Sequence, residues 1–228
     1  MNLTEHYNKL YIESIAKISA GEYETDHLID DNTDRRFGIT LVIRPDVSTN
    51  KNIQQFLVEA KAIEPDQYYY QNADIHITLM SIISCYDGFD LSDINVKDYV
   101  ELIQQVLAKH KNFKIQFKGL TASPSCILVQ GFLTDTLNEI RDDLRASFKN
   151  SDLQQSIDKR YAIQTAHSTI IRFRSELENR AALVKLIEKY RDFDFGTFEV
   201  KQIELVYNDW YQREKYVKKL HTFSLALQ

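Results

Sequence analysis

Hydrophobic positions along this chain switch between a helical period and a strand period. From Tyr7 to Ala20, Leu10, Ile12, Ile15, Ala16 and Ile18 recur at near-helical spacing and Gly21 supplies a stop, which predicts an amphipathic helix. Residues 22–36 are polar, with Asp30, Asp31, Asn32 and Asp34, and read as a loop. Phe37 to Arg44 predicts a strand ended by Pro45. Asn50 to Ile63 predicts a helix with Ile53, Phe56, Leu57 and Ala60 on one face. Tyr68, Tyr69 and Tyr70 lead into a strand from Asp74 to Ser84, and residues 87–93 form a loop. A helix follows from Val96 to Lys109, then strands over Phe113–Leu120 and Ser125–Leu133 around a turn at 121–124. Thr134 to Phe148 carries Leu137, Ile140, Leu144 and Phe148 on one helical stripe. Beyond an irregular polar stretch at 150–164 come a strand over Thr165–Phe173 and a helix over Asn179–Tyr190. Phe195–Tyr207 reads as one or two strands, and Leu220–Leu227 as a last one.

The order repeats. From 37 to about 120 it is strand, helix, strand, helix, strand; from 125 to 227 it is strand, helix, strand, helix, strand, strand. That predicts an internal duplication in an α+β fold. Two antiparallel-sheet lobes would be related by a pseudo-twofold, with helices outside and a central cleft. The lobes would cover about 37–120 and 125–227, with possible strand exchange. Residues 1–36 would be an N-terminal helical extension to this 37–227 domain.

One short pattern falls at the same place in both halves: Ile75-His76-Ile77-Thr78-Leu79 and Ala166-His167-Ser168-Thr169-Ile170. Side chains alternate faces along a strand, so His76 and Thr78 point one way together, as do His167 and Thr169. A single His in a strand is more often a hydrogen-bonded structural residue. A repeated apolar-His-x-Thr-apolar pattern argues otherwise. Facing each other, the two segments would place two imidazoles and two hydroxyls in one cleft. One imidazole takes a proton, the other gives one, and the hydroxyls hold phosphate oxygens: the requirements of an in-line displacement at phosphorus.

Bulk properties narrow the setting. The chain has 228 residues, 43% hydrophobic and 27% charged, as expected of a globular domain with a sizeable core. Six Gly and three Pro argue against long disordered linkers. No apolar run approaches the ~18 residues of a membrane span, and no secretion signal is visible at the start. Cys85 and Cys126 are too few for a disulfide framework and have no neighbouring Cys at metal-ligand spacing. They predict reduced core residues, a cytoplasmic protein and no metal. The net charge of −5 speaks against general duplex binding, while leaving room for a nucleotide or an RNA end in a local basic pocket. Thirteen Tyr and twelve Phe supply core and possible base-stacking surfaces.

Paired motifs of this kind, one per lobe, resemble the 2H phosphoesterase superfamily, over roughly residues 37 to 227. Its members include RNA 2′,3′-cyclic phosphodiesterases, 2′–5′ RNA ligase-like proteins and enzymes that trim RNA ends. The resemblance implies a metal-independent and cofactor-free mechanism, with His76, Thr78, His167 and Thr169 as the catalytic set. Some ligase-like members carry an Arg three residues after the second motif Thr, where Arg172 stands. Strand parity sends Arg172 to the face opposite His167 unless a bulge re-aims it. Tyr70 and Tyr161 are further substrate-binding candidates, one before each motif. Packing and a solvated loop are their plainer readings, as for Lys159 and Arg160.

The function expected is therefore hydrolysis of a cyclic phosphate or a 2′–5′ phosphodiester of RNA or a nucleotide. A sugar epimerase or mutarotase also uses two opposed histidines, although it gains nothing from the hydroxyls. A nucleotide-binding protein without turnover is the third reading. A monomer is expected, with a nucleotide or RNA end as its partner.

Overall fold

The computed structural model describes residues 2–133 and 135–227. Thr134, where the sequence predicts the start of a helix, lies outside the described residues, as do Met1 and Gln228. The described chain forms two antiparallel sheets and five α-helices. Nine strands are assigned among these residues: β1 Arg36–Ile43, β2 Tyr68–Tyr69, β3 Ile77–Asp87, β4 Phe113–Ser123, β5 Cys126–Leu133, β6 Ser168–Arg172, β7 Asp194–Val200, β8 Gln202–Asp209 and β9 Lys218–Ser224. The helices are α1 Leu3–Ala20, α2 Val47–Ile63, α3 Val96–Leu107, α4 Asp135–Lys149 and α5 Arg180–Lys189.

One sheet has the order β3-β1-β8-β9, the other β2-β6-β5-β4-β7. Each therefore draws strands from both halves of the sequence: β8 and β9 pair beside β1, while β2 and β4 pair beside β6, β5 and β7. Strand β3, which follows His76 and carries Thr78, is an edge, and β6, which follows His167 and carries Thr169, is flanked on its outer side by the short β2. Edges need covering. Along β3 the cover is the irregular stretch 150–164, where Ser156 N–H donates to Ile82 O at 2.8 Å and Ser84 N–H to Ser156 Oγ at 2.7 Å.

Helix α1 begins earlier than the apolar period suggests, because Asn2 caps it: its Oδ1 accepts from Thr4 N and Glu5 N. It packs on β4 and α5. Tyr7 is buried there, its hydroxyl donating to Gly131 O at 3.1 Å and accepting from Gly131 N at 3.2 Å. Polar residues 22–36 include a 3-10 turn at His27–Asp30. Tyr68 and Tyr69 are a strand that no periodicity announced; two residues are too few to show one. No helix is long and apolar enough to cross a membrane among the described residues.

Candidate active site

A solvent-open cleft lies between the sheets, and it is lined by His76, Thr78, His167 and Thr169 together. Both histidines stand one residue before their strands rather than within them. The expected strand interior is thus displaced to the strand mouth, where backbone is free to hold a ring. His76 Nδ1 donates to its neighbour's carbonyl, Asp74 O, at 2.7 Å. A carbonyl can only accept, so the proton sits on Nδ1 and Nε2 is the free nitrogen. His167 Nδ1 lies 2.6 Å from Thr165 Oγ1, which again leaves Nε2 free. Each motif histidine is tied by the side chain or backbone two residues before it.

Both imidazoles are half-buried and both are pushed down to about 4. Burial is the main cause in each. For His76, Arg44 and His167 add to it while the bond to Asp74 opposes; for His167, Arg141 and His6 add. At neutral pH both rings are therefore uncharged.

The two motif strands share an irregularity. Opposite β1, Met80 pairs with Leu41 and Thr78 with Val42, so Leu79 is an extra residue. Opposite β5, Ile171 pairs with Ile127 and Thr169 with Leu128, so Ile170 is an extra residue. Each bulge directly follows the motif threonine, and each reverses side-chain parity beyond it. Arg172 is thereby turned onto the cleft side with Thr169. On β3 the same reversal brings Ser81 into the cleft, and a second extra residue, Ile82, brings Ser84.

Arg172 Nη1 donates to Asp26 Oδ2 at 3.2 Å, its Cζ lies 5.4 Å from the Tyr211 ring centroid, and its buried Nε has no partner. Asp26 comes from the polar loop after α1 and also accepts from Tyr211 OH at 2.8 Å. Tyr70 lines the cleft but is only 2% exposed, edge-on to Tyr68 at 5.1 Å. Tyr161 stands at the rim, 68% exposed.

Sequence reasoning missed part of the wall. Trp210 lies beneath two guanidiniums, with Arg160 Cζ at 4.3 Å and Arg36 Cζ at 4.8 Å from its ring centroid. Arg145 also lines the cleft, paired to Asp158 at 2.6 Å. Three arginines against one aspartate make the lining basic although the chain is acidic overall. No local pattern marks Trp210; it comes from the β8–β9 connection and reaches the cleft only through strand order. Among the described residues, the two non-glycines with left-handed φ, Asp158 at 58° and Gln212 at 60°, both line this cleft. Among the described residues, no three His, Cys, Asp or Glu side chains gather as a metal site.

The sequence profile of the 2′-5′ RNA ligase superfamily matches residues 49–211, which includes both motifs. The chain belongs to this superfamily, that of the 2H phosphoesterases. No curated protein matches it in sequence. Solved structures match it in fold. The Thermus thermophilus protein TT0787 is 13% identical, with a TM-score of 0.58 over 83% of this chain and 98% of its own. Escherichia coli LigT in its apo form is 14% identical, with a TM-score of 0.56 over 84% and 98%. The LigT complex with 3′-AMP is 11% identical, with a TM-score of 0.54 over 84% and 99%. The 2H phosphoesterase fold is thus shared across nearly the whole length of these proteins.

Proposed function

We propose that this 2H phosphoesterase is a metal-independent phosphodiesterase that hydrolyses a cyclic phosphate or a 2′–5′ linkage of a nucleotide or RNA end. The observation that carries the reading is the convergence of His76, Thr78, His167 and Thr169 on one cleft with both Nδ1 atoms engaged. Escherichia coli LigT, a protein of this fold, has been solved with 3′-AMP and with phosphate, which supports a nucleotide phosphate as the ligand.

A substrate phosphate brings negative charge between the two rings. It raises their proton affinity, and one ring becomes an imidazolium. The neutral ring takes a proton from water as the water oxygen attacks phosphorus. The imidazolium gives its proton to the departing ribose oxygen as that P–O bond breaks. Water is consumed, and solvent exchange restores the two protonation states. Thr78 and Thr169 donate to the non-bridging oxygens as charge builds there, and the Arg172 guanidinium, which lines the cleft, supplies positive charge beside them.

The test is a panel of nucleoside 2′,3′-cyclic phosphates and 2′–5′-linked dinucleotides, with products separated by the position of the remaining phosphate. Turnover that follows a bell-shaped pH profile supports two-histidine catalysis. Bound but unconverted substrates would make the cleft a nucleotide sensor instead.

A further inference from the structure

Arg141 carries a fully buried guanidinium. It stands on α4, is 0% exposed and does not line the cleft. Among the described residues it makes no ion pair; its partners are neutral oxygens. Nε donates to Leu79 O at 3.0 Å. Nη2 donates to Thr78 O at 3.2 Å and to Thr165 O at 2.7 Å, and Nη1 reaches Asn138 Oδ1 at 3.4 Å.

A buried cation without a counter-ion is expensive, and an apolar side chain of similar volume fills a core at less cost. Burial pushes this guanidinium down to about 10. Its position shows what it contributes. Thr78 is the hydroxyl of the first motif, and Leu79 is the residue that its bulge leaves out of the strand register. Thr165 holds His167 Nδ1. One planar fork therefore joins the backbone of the first His-x-Thr segment to the backbone that supports the second histidine. A rigid fork can meet oxygens on two separate strands at once; a single ammonium lacks that geometry.

We propose that Arg141 is a positioning residue that sets the separation of the two His-x-Thr pairs by bridging their backbones across the seam. The inference rests on the phosphodiesterase reading of the cleft. Arg141 acts through Thr78, Leu79 and Thr165, so its loss misplaces the two histidines and the Thr78 hydroxyl, groups whose alignment matters most as charge builds at phosphorus, and affects the transition state more than ground-state binding. Misplacing reacting groups by about 1 Å costs on the order of 10²-fold in rate.

The experiment compares wild type, Arg141→Lys and Arg141→Met at a temperature where circular dichroism shows each folded, using whichever panel substrate the wild type turns over. The expected result is a kcat lower by about 10²-fold in Arg141→Met and by at least about tenfold in Arg141→Lys, with KM within about threefold of wild type. Two results would overturn the proposal: kcat within about threefold in both variants, or a loss carried by KM. Failure of both variants to fold would assign Arg141 to the core alone and also overturn it. A wild type inactive on every substrate refutes the phosphodiesterase reading first, and then the test is the imidazole signals of bound inorganic phosphate complexes. If His76 and His167 respond to phosphate together in wild type and in Arg141→Met alike, Arg141 sets no separation; if only the wild type couples them, it does.

Discussion

Leu79 and Ile170 hold equivalent places in the two sheets: each is the extra residue directly after a motif threonine, and each is 0% exposed. Both carbonyls find donors outside their own pairing ladders, Leu79 O from Arg141 Nε at 3.0 Å and Ile170 O from Tyr70 N at 3.1 Å. The duplication thus extends beyond the motif to the backbone irregularity that follows it. Truncating either residue to Ala removes buried methyl groups beside the site and should cost about 2–5 kcal/mol of stability. Urea unfolding measures it; a loss below about 1 kcal/mol would mean the bulge repacks freely.

The motif side chains carry the chemistry in this account. His76→Ala and His167→Ala should each lower kcat by about 10²–10⁴-fold, and Thr78→Ala or Thr169→Ala by less. The double histidine variant should lose little more than the worse single one, because both rings act in one step. Steady-state rates on one cyclic nucleotide decide this. Additive losses would mean that the two rings act independently rather than in one concerted step.

Acid should weaken the folded protein through the same rings. Both are near 4 when folded, against about 6.5 when unfolded. Between those values the unfolded chain binds protons that the folded chain does not, so stability falls as pH drops from about 6.5 to about 4 and levels below. Removing both histidines should flatten that part of the curve. Inorganic phosphate should raise both NMR titration midpoints, and midpoints that ignore phosphate would remove the anion from the cleft.

Arg172 tests the role of the bulge. Arg172→Met removes a charged donor from a phosphate site, which is worth about 1.5–3 kcal/mol, or roughly 10- to 150-fold in kcat/KM. The paired variant Asp26→Asn keeps the arginine but weakens the bond that holds it at 3.2 Å. It should fall between wild type and Arg172→Met. A full-rate Arg172→Met would place that guanidinium outside the reaction.

Gly131 offers a steric test from outside the cleft. A Cβ there would stand 2.0 Å from Ala166 O, in the peptide that leads into His167. Gly131→Ala must shift that peptide and should lower both stability and kcat, the first by about 1–3 kcal/mol. Thermal unfolding and rate, measured on one preparation, check the pair. An unchanged rate would show that His167 is held independently of Ala166.

Much of this site was legible in the sequence because strands and helices leave periodic marks and the motif is local. His76, Thr78, His167 and Thr169 could be named from spacing alone. Parity placed Arg172 on the wrong side of β6 in the regular case, since a bulge is a defect in the very period that parity uses. Arg141, Trp210 and Asp26 left no mark. Arg141 is one more charge on an amphipathic helix until the fold turns it inward; Trp210 reaches the cleft through strand order, and Asp26 reaches Arg172 behind it through the loop path. Burial of a charge without a carboxylate partner is visible only in three dimensions.

The measurement that bears most directly on the central claim is turnover of a single nucleoside 2′,3′-cyclic phosphate by EDTA-treated wild type, His76→Ala and His167→Ala. The account predicts a wild-type rate that EDTA does not change and a loss of at least about 10²-fold in each variant. A wild-type rate abolished by EDTA, or a variant that keeps the wild-type rate, would contradict it.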